Sequence, residues 1–279
     1  MIYLGLMIFL TALYVFLIAP GRKPREKGAE FLGLNYAHRG LHTRDGSVPE
    51  NSLAAFAAAA DAGYAAELDV QITEDGYPAV FHDEALRRMT GDRRKLTDLN
   101  LEKLQKLRLV GTEEPVPLLE DVLKTVRGRV PLMVEIKYSK DPARAAGKTY
   151  EVMRDYDGLW CVESFDPRVL KWFRKHAPEV WRGQLVTRRK NMIGLVPSPL
   201  PFLLANVMFN FMGRPHFIAH SKGGTSISVR MCEFFGAAPM VWTVDDSDDR
   251  KWYEYRNLCV IFEYYTPLPR FRHKKGEKG

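Results

Sequence analysis

Cysteine is scarce in this chain: three in 279 residues, at positions 161, 232 and 259. Three scattered thiols form no CxxC pair and no His/Cys ligand spacing. That excludes a zinc finger, a dithiol redox centre and a disulfide framework, and leaves buried thiols in a reducing compartment as the plain expectation. No glycine-rich phosphate loop is present, so the P-loop nucleotide enzymes are excluded too. Basic residues interleaved with aromatics, the footprint of a nucleic-acid groove, are also missing. No internal repeat shows beyond an alternation of strand-like and helix-like segments.

Charge is absent from the first 21 residues altogether. Ile2 to Ala19 is rich in Leu, Ile, Phe and Tyr, about the minimum length for a membrane-crossing helix. Arg22, Lys23, Arg25 and Lys27 follow it directly, and no small-residue cleavage site precedes them. An uncleaved anchor is therefore expected, a single-pass arrangement with the catalytic domain on the cytoplasmic side. The formal net charge is +7. Residues 22–27 carry +3 and residues 270–279 carry +4, so the body between them is neutral. Two basic ends suit contact with anionic membrane lipids, and nothing points to nucleic acid. The expected organisation is an anchor over 1–21, a basic linker over 22–33, a domain over 34–269 and a basic tail over 270–279.

What the chain does have is a dense run of chemistry from His38 to Asp83. Glu67 and Asp69 sit two apart on the apolar strand Ala65–Val70 and so face one side. Side-by-side carboxylates repel unless a cation lies between them, and an all-oxygen set favours a hard ion, Mg²⁺ or Ca²⁺. Leu132–Lys137 is a second such strand. It offers Glu135 as a third carboxylate and Lys137, on the same face, as a cation for an anionic substrate. Taken alone, any one of these pairs reads better as an ion pair. Spread over several strands, the set reads as a metal and phosphate site. His38 and His82 each end an apolar run, and imidazole titrates where one can take a proton while the other gives one. Arg39 brings a planar fork suited to phosphate oxygens. Asp83 either orients a neighbour or caps a turn. His42, His176, His216, His220 and His273 lack such company and stay unassigned.

His38-Arg39-Gly40, Pro49-Glu50-Asn51-Ser52, Glu67-Leu68-Asp69-Val70, Thr73-Glu74-Asp75-Gly76 and His82-Asp83 resemble the glycerophosphodiester phosphodiesterase family in order and spacing. Glu135-Ile136-Lys137, Ser164-Phe165-Asp166-Pro167 and Trp242-Thr243-Val244 continue the resemblance, from about Asn35 to Pro267. It implies a TIM-barrel hydrolase that uses a divalent metal to cleave a phosphodiester to an alcohol and a phosphomonoester. On the matching positions, His38 and His82 would be acid and base, and Glu67, Asp69 and Glu135 metal ligands. Arg39 and Lys137 would meet the phosphate, with Phe165 and Trp242 in the substrate pocket. Two departures stand out. Ser52 replaces the usual threonine, and His220 stands where an aromatic or acidic residue is common.

The rest of the chain agrees with an α/β fold, a TIM (β/α)8 barrel with a small insertion. Nine strand-like runs are legible: Leu34–His38, Ala65–Val70, Ala79–His82, Leu132–Lys137, Leu159–Glu163, Gln184–Thr187, His216–His220, Met240–Val244 and Leu258–Phe262. Eight staves are needed, and the sequence does not say which run is surplus. Asn51 or Ser52 caps the helix that begins at Leu53, and Arg87–Pro117 is expected to form the insertion over the site. Asn191–Gly213 has no charged residue, while Pro197, Pro199 and Pro201 forbid a continuous helix. It is expected to face lipid, with a buried shell helix as the alternative. The functional expectation is metal-dependent hydrolysis of glycerophosphodiesters at a membrane. A phospholipase D-like action on lysophospholipid or phospholipid head groups comes second, and a non-catalytic tethered barrel last. Head group, choice of ion, the roles of the two histidines, the attacking group and oligomeric state are not legible.

Overall fold

Eight parallel strands close into a barrel in the computed structural model, which describes residues 1–22 and 28–270. Round the ring they are β1 (Leu34–Ala37), β2 (Ala65–Ile72), β4 (Leu132–Ile136), β5 (Trp160–Ser164), β6 (Arg182–Val186), β7 (Phe217–Ser221), β8 (Ala238–Val244) and β9 (Cys259–Phe262). β1 pairs with both β2 and β9, which closes the ring. The surplus run is β3 (Pro78–Val80), which lies antiparallel on β2 with Val80 opposite Val70. Only Thr73–Tyr77 separates the two strands. That is a tight turn, whereas a parallel crossover needs about a dozen residues.

Alternation along the staves builds two layers of core. Tyr36, Met133, Cys161, Phe217, Met240 and Ile261 fill the barrel itself. Leu68, Val134, Val162 and Val260 face outward and pack under helix residues such as Phe56, Val122 and Phe173. The three thiols are buried. Gly183 has no side chain because the Phe217 ring occupies the space a Cβ would take. A single turn at Ala29–Phe31 plugs the lower end, with Phe31 stacked on Trp181 at 5.2 Å and its carbonyl accepting from the Tyr36 hydroxyl at 3.1 Å.

Burial at that lower end has a consequence in acid. His216 is 3% exposed, and its Nδ1 accepts from the Arg182 amide at 3.2 Å. Burial first, and the Arg182 guanidinium second, pull its pKa down to about 3. The unfolded chain then binds the proton more readily than the native one. The neutral imidazole's contribution is complete above about pH 6.5 and is lost as pH falls toward 3. Urea-unfolding stability should therefore fall below pH 6.5, this residue adding up to ~1.4 kcal/mol per pH unit. In His216→Gln that slope should flatten, and an unchanged slope would assign the acid lability to other groups.

The expected transmembrane span over Ile2–Ala19 is corrected by the structure. The helix α1 (Ile2–Ile18) has 17 residues, and among the described residues no helix is long and apolar enough to cross a membrane. At ~1.5 Å per residue it reaches about 25 Å against a hydrocarbon core of about 30 Å. Its last turns are also committed elsewhere. Ile18 is fully buried with Val207, Ile218 and Val229, while Tyr14 and Leu17 pack beside it. The segment expected to face lipid forms part of that dock. Asn210 donates to the Ile18 carbonyl at 3.1 Å, and Phe211 lies 5.8 Å from Phe16. Arg214 closes the end of α1 by donating to the carbonyls of Phe16 and Ala19 at 2.8 and 2.9 Å. Asn191–Gly213 thus divides its surface: Val207 is buried against the barrel, while Ile193, Leu195 and Phe202 are exposed.

Residues 87–117 carry two single-turn helices, Arg87–Thr90 and Leu101–Leu104, around a core of their own with Phe81, Leu86, Leu96 and Val116. Of the two basic ends, 23–27 and 271–279 lie outside the described residues.

Candidate active site

The chemistry gathers at the C-terminal ends of the staves, on the β1, β2 and β4 side. Asp69 and Glu135 stand opposite one another in register, and Glu67 lies one step below Asp69 on the same face. All three are at most 7% exposed, and an oxygen from each lies within 4.8 Å of the others. His82 reaches this level because β3 runs back down β2, so that the Phe81 amide donates to the Asp69 carbonyl at 2.9 Å. The histidine sits two residues past a hairpin strand and not at the tip of a stave, which the sequence reading did not foresee.

Backbone conformation does part of the positioning. Arg39 takes a φ of +54° and Asn51 one of +56°, in the left-handed region that non-glycine residues avoid. The turn at Arg39 aims its amide at Glu67 Oε2, 2.9 Å away. Asn51 proves not to be the helix cap. Ser52 is, its hydroxyl accepting from the Ala55 amide at 3.1 Å, while Asn51 donates to Asp69 Oδ2 at 2.8 Å.

Cations sit among these carboxylates. Lys137 Nζ bridges Glu135 at 2.9 Å and Asp69 at 3.1 Å. Arg39 donates to Glu50 at 2.7 Å, and its Nε, buried and without a hydrogen-bond partner, lies 3.5 Å from Asp69. Burial works against the Asp69 carboxylate, but Lys137, His82 and Arg39 outweigh it and hold its pKa well below the usual range. Glu135 goes the other way, pushed up to about 7 by burial despite Lys137, with Asp69 adding to the rise. Glu67 is also raised, by burial and then by Asp69 and Glu135. With Lys137 shared by two of them and Arg39 divided between Asp69 and Glu50, three buried carboxylates this close are short of positive charge. The set is all oxygen and hard, so the residues present fit one divalent cation, Mg²⁺ or Ca²⁺.

Each histidine is held by a carboxylate through Nδ1. His38 Nδ1 is 3.0 Å from Glu263 Oε2, and His82 Nδ1 is 2.7 Å from Asp83 Oδ1. Burial lowers the pKa of both, against the pull of those partners. Arg88 ties the assembly together, donating to Asp83 at 2.6 Å and to Glu50 at 2.6 Å. Across the mouth, Phe165 meets Trp242 edge-on at 5.7 Å, and the indole N–H donates to the Ala219 carbonyl at 3.0 Å. All nine residues singled out from the sequence thus lie at one end of the barrel.

Four residues escaped the sequence reading. Glu263 follows the last stave in an aromatic stretch with no motif to flag it. His42, left unassigned there, has its Nε2 3.7 Å from Glu263 Oε2, and that nitrogen has no hydrogen-bond partner. Arg88 lies within the Arg87–Pro117 insertion and was not singled out. Glu163, in register with Glu135 on β5, is 1% exposed, and its Oε2 has no partner. Strand alternation was the one signal that could have placed Glu163 on the inner face.

Comparison with known proteins agrees with this geometry. The glycerophosphoryl diester phosphodiesterase family matches residues 38–262. Glycerophosphodiester phosphodiesterase 1 of Mus musculus is 25% identical over 262 residues, which cover 83% of this chain and 76% of that protein. A glycerophosphodiester phosphodiesterase of Caldanaerobacter subterraneus is 29% identical over 227 residues, 76% of this chain and 86% of the relative. An Oleispira antarctica phosphodiesterase, solved with its product sn-glycerol-3-phosphate, shares the fold at a TM-score of 0.69 and 23% identity, over 85% of this chain and 95% of that one. The chain belongs to the glycerophosphoryl diester phosphodiesterase family and is a phosphodiesterase by that membership.

Proposed function

We propose that this phosphodiesterase hydrolyses glycerophosphodiesters to an alcohol and glycerol phosphate, with one divalent cation held by Glu67, Asp69 and Glu135. The carrying observation is the trio of carboxylates framed by two histidines, each fixed through Nδ1 by an acidic partner. When bound, the ion supplies Lewis-acid polarisation of a phosphoryl oxygen. The chain's own groups do the rest. Arg39, whose Nε has no partner, and Lys137 meet the phosphate oxygens. With Nδ1–H donated to a carboxylate, each imidazole presents Nε2 to the substrate. Burial keeps a resting imidazole neutral and able to accept a proton from the attacking group, water or a substrate hydroxyl beside the phosphate. The other imidazole, protonated, gives its proton to the leaving alcohol as the P–O bond breaks. Phe165 and Trp242 form the apolar wall for the organic part of the diester.

A lipid setting is the second element of the reading. Every large apolar residue of α1 from Ile2 to Leu10 is exposed, far more contiguous apolar surface than a soluble monomer carries. A helix apolar all round must bury its surface in apolar surroundings, and one docked only at its C-terminal end leaves its first turns for the hydrocarbon of one leaflet. This replaces the single-pass anchor with a monotopic one, and the positive-inside argument for a cytoplasmic face no longer applies. The same helix favours lysophospholipids as alternative substrates, with phospholipase D-like chemistry.

Product analysis on glycerophosphocholine, lysophosphatidylcholine and phosphatidylglycerol with Mg²⁺, Ca²⁺ or chelator tests the reading. Turnover of a glycerophosphodiester that stops with chelator is expected. Turnover confined to the lipid substrates would favour the second reading. Turnover of none would leave a non-catalytic barrel.

A further inference from the structure

A cavity of about 360 Å³ opens at the ends of β6 and β7, between barrel and shell, and the proposed reaction does not use it. Arg188, Arg189, Thr187, Asn206, Thr225 and Ser226 line it, and none of its lining residues is a carboxylate. Neither arginine forms an ion pair among the described residues. The neighbouring Lys222, by contrast, is taken up by Asp245 at 2.6 Å and Asp248 at 2.7 Å. Arg188 makes only a 3.4 Å approach to the Lys222 carbonyl. A chain conformation is also adapted to it: Gly223, at φ +89°, leaves the room that the Arg188 guanidinium fills, and a Cβ there would come within 2.8 Å of Nη2. Two exposed arginine forks with no carboxylate partner among the described residues, beside a hydroxyl-lined cavity, suit an anion.

The cavity's place in the molecule says which anion. Tyr14 of α1 shares a hydrogen bond with Ser228 at 2.8 Å, and Ser228 donates to Asn206, a lining residue, at 3.0 Å. Two hydrogen bonds therefore separate α1 from the cavity. Ile193, Leu195, Phe202 and Ile227, all exposed, belong to the same segments that line it. We propose that this cavity binds the phosphate of an anionic phospholipid in the leaflet that holds α1. The proposal rests on the reading of α1 as a membrane helix. It adds a second, specific contact at the open end of the barrel, which would fix the catalytic mouth beside the lipid surface.

The test is sedimentation of the full chain with phosphatidylcholine vesicles containing either phosphatidylglycerol or the same surface charge as oleate. Wild type should bind the phosphatidylglycerol vesicles about tenfold more tightly. Arg188→Gln with Arg189→Gln should lose that preference yet keep its binding to phosphatidylcholine alone. Lys103→Gln with Lys140→Gln, which removes two exposed charges elsewhere, should keep it. Equal wild-type binding to both anionic vesicles, or a preference that survives in the arginine variant, overturns the proposal. Should wild type bind no vesicle at all, the reading of α1 fails and takes the lipid source with it. Melting shifts with inorganic phosphate then decide the site. A larger shift in wild type than in the arginine variant assigns the cavity to soluble phosphate, and equal shifts remove the anion site.

Discussion

Glu67→Gln is expected to lower phosphodiester turnover by about 10³-fold or more, a loss of ~4 kcal/mol in transition-state stabilisation. The amide keeps the volume of the carboxyl but removes a charge from a trio crowded within 4.8 Å. Folding should survive, because Glu67 is the member with the weakest support. It has the Arg39 amide at 2.9 Å as a partner, while Asp69 is held by both Asn51 and Lys137. Urea-unfolding midpoints of the two proteins should therefore be close. They can even favour the variant, since a buried charge that repels its neighbours has been removed. Turnover within tenfold of wild type would take Glu67 out of the reaction.

His38→Ala and His82→Ala should each cost about 10²–10⁴ in turnover, with a bell-shaped pH–rate profile in the parent enzyme. The partner carboxylates allow a sharper version. Burial alone would depress both histidines, and Glu263 and Asp83 oppose it. Glu263→Gln should then lower the His38 pKa further and move one limb of the profile toward acid, while His82 keeps its own limb. Glu263→Asp should restore part of the rate. A profile unmoved by Glu263→Gln would make the 3.0 Å contact to His38 structural only.

Most of this site was legible because its chemistry is written in short runs. Two carboxylates two residues apart on an apolar strand share a face whatever the rest of the chain does, and Glu135-Ile136-Lys137 repeats the device. The barrel was legible from the count of such strands. The surplus strand could have been picked out by the short link between Ile72 and Pro78, which admits only a hairpin. Other parts were not legible, for physical reasons. Glu263 meets His38 across 225 residues of sequence, and no local pattern announces a closure contact between the first and last staves. Arg88 acts from the insertion, whose path over the mouth is set by its own small core. The N-terminal helix misled because hydropathy reports the solvent a segment prefers and not where its end is docked. Ile18 and Tyr14 are as apolar on paper as Ile2 and Tyr3, yet they pack on the barrel.

Divalent-ion titration by calorimetry tests the central claim most directly. Mg²⁺ or Ca²⁺ should bind wild type with a stoichiometry of about one, and in Glu67→Gln that binding should weaken by about tenfold or more. Should neither ion bind, or should the variant bind as tightly as wild type, the Glu67, Asp69 and Glu135 cluster is not a metal centre.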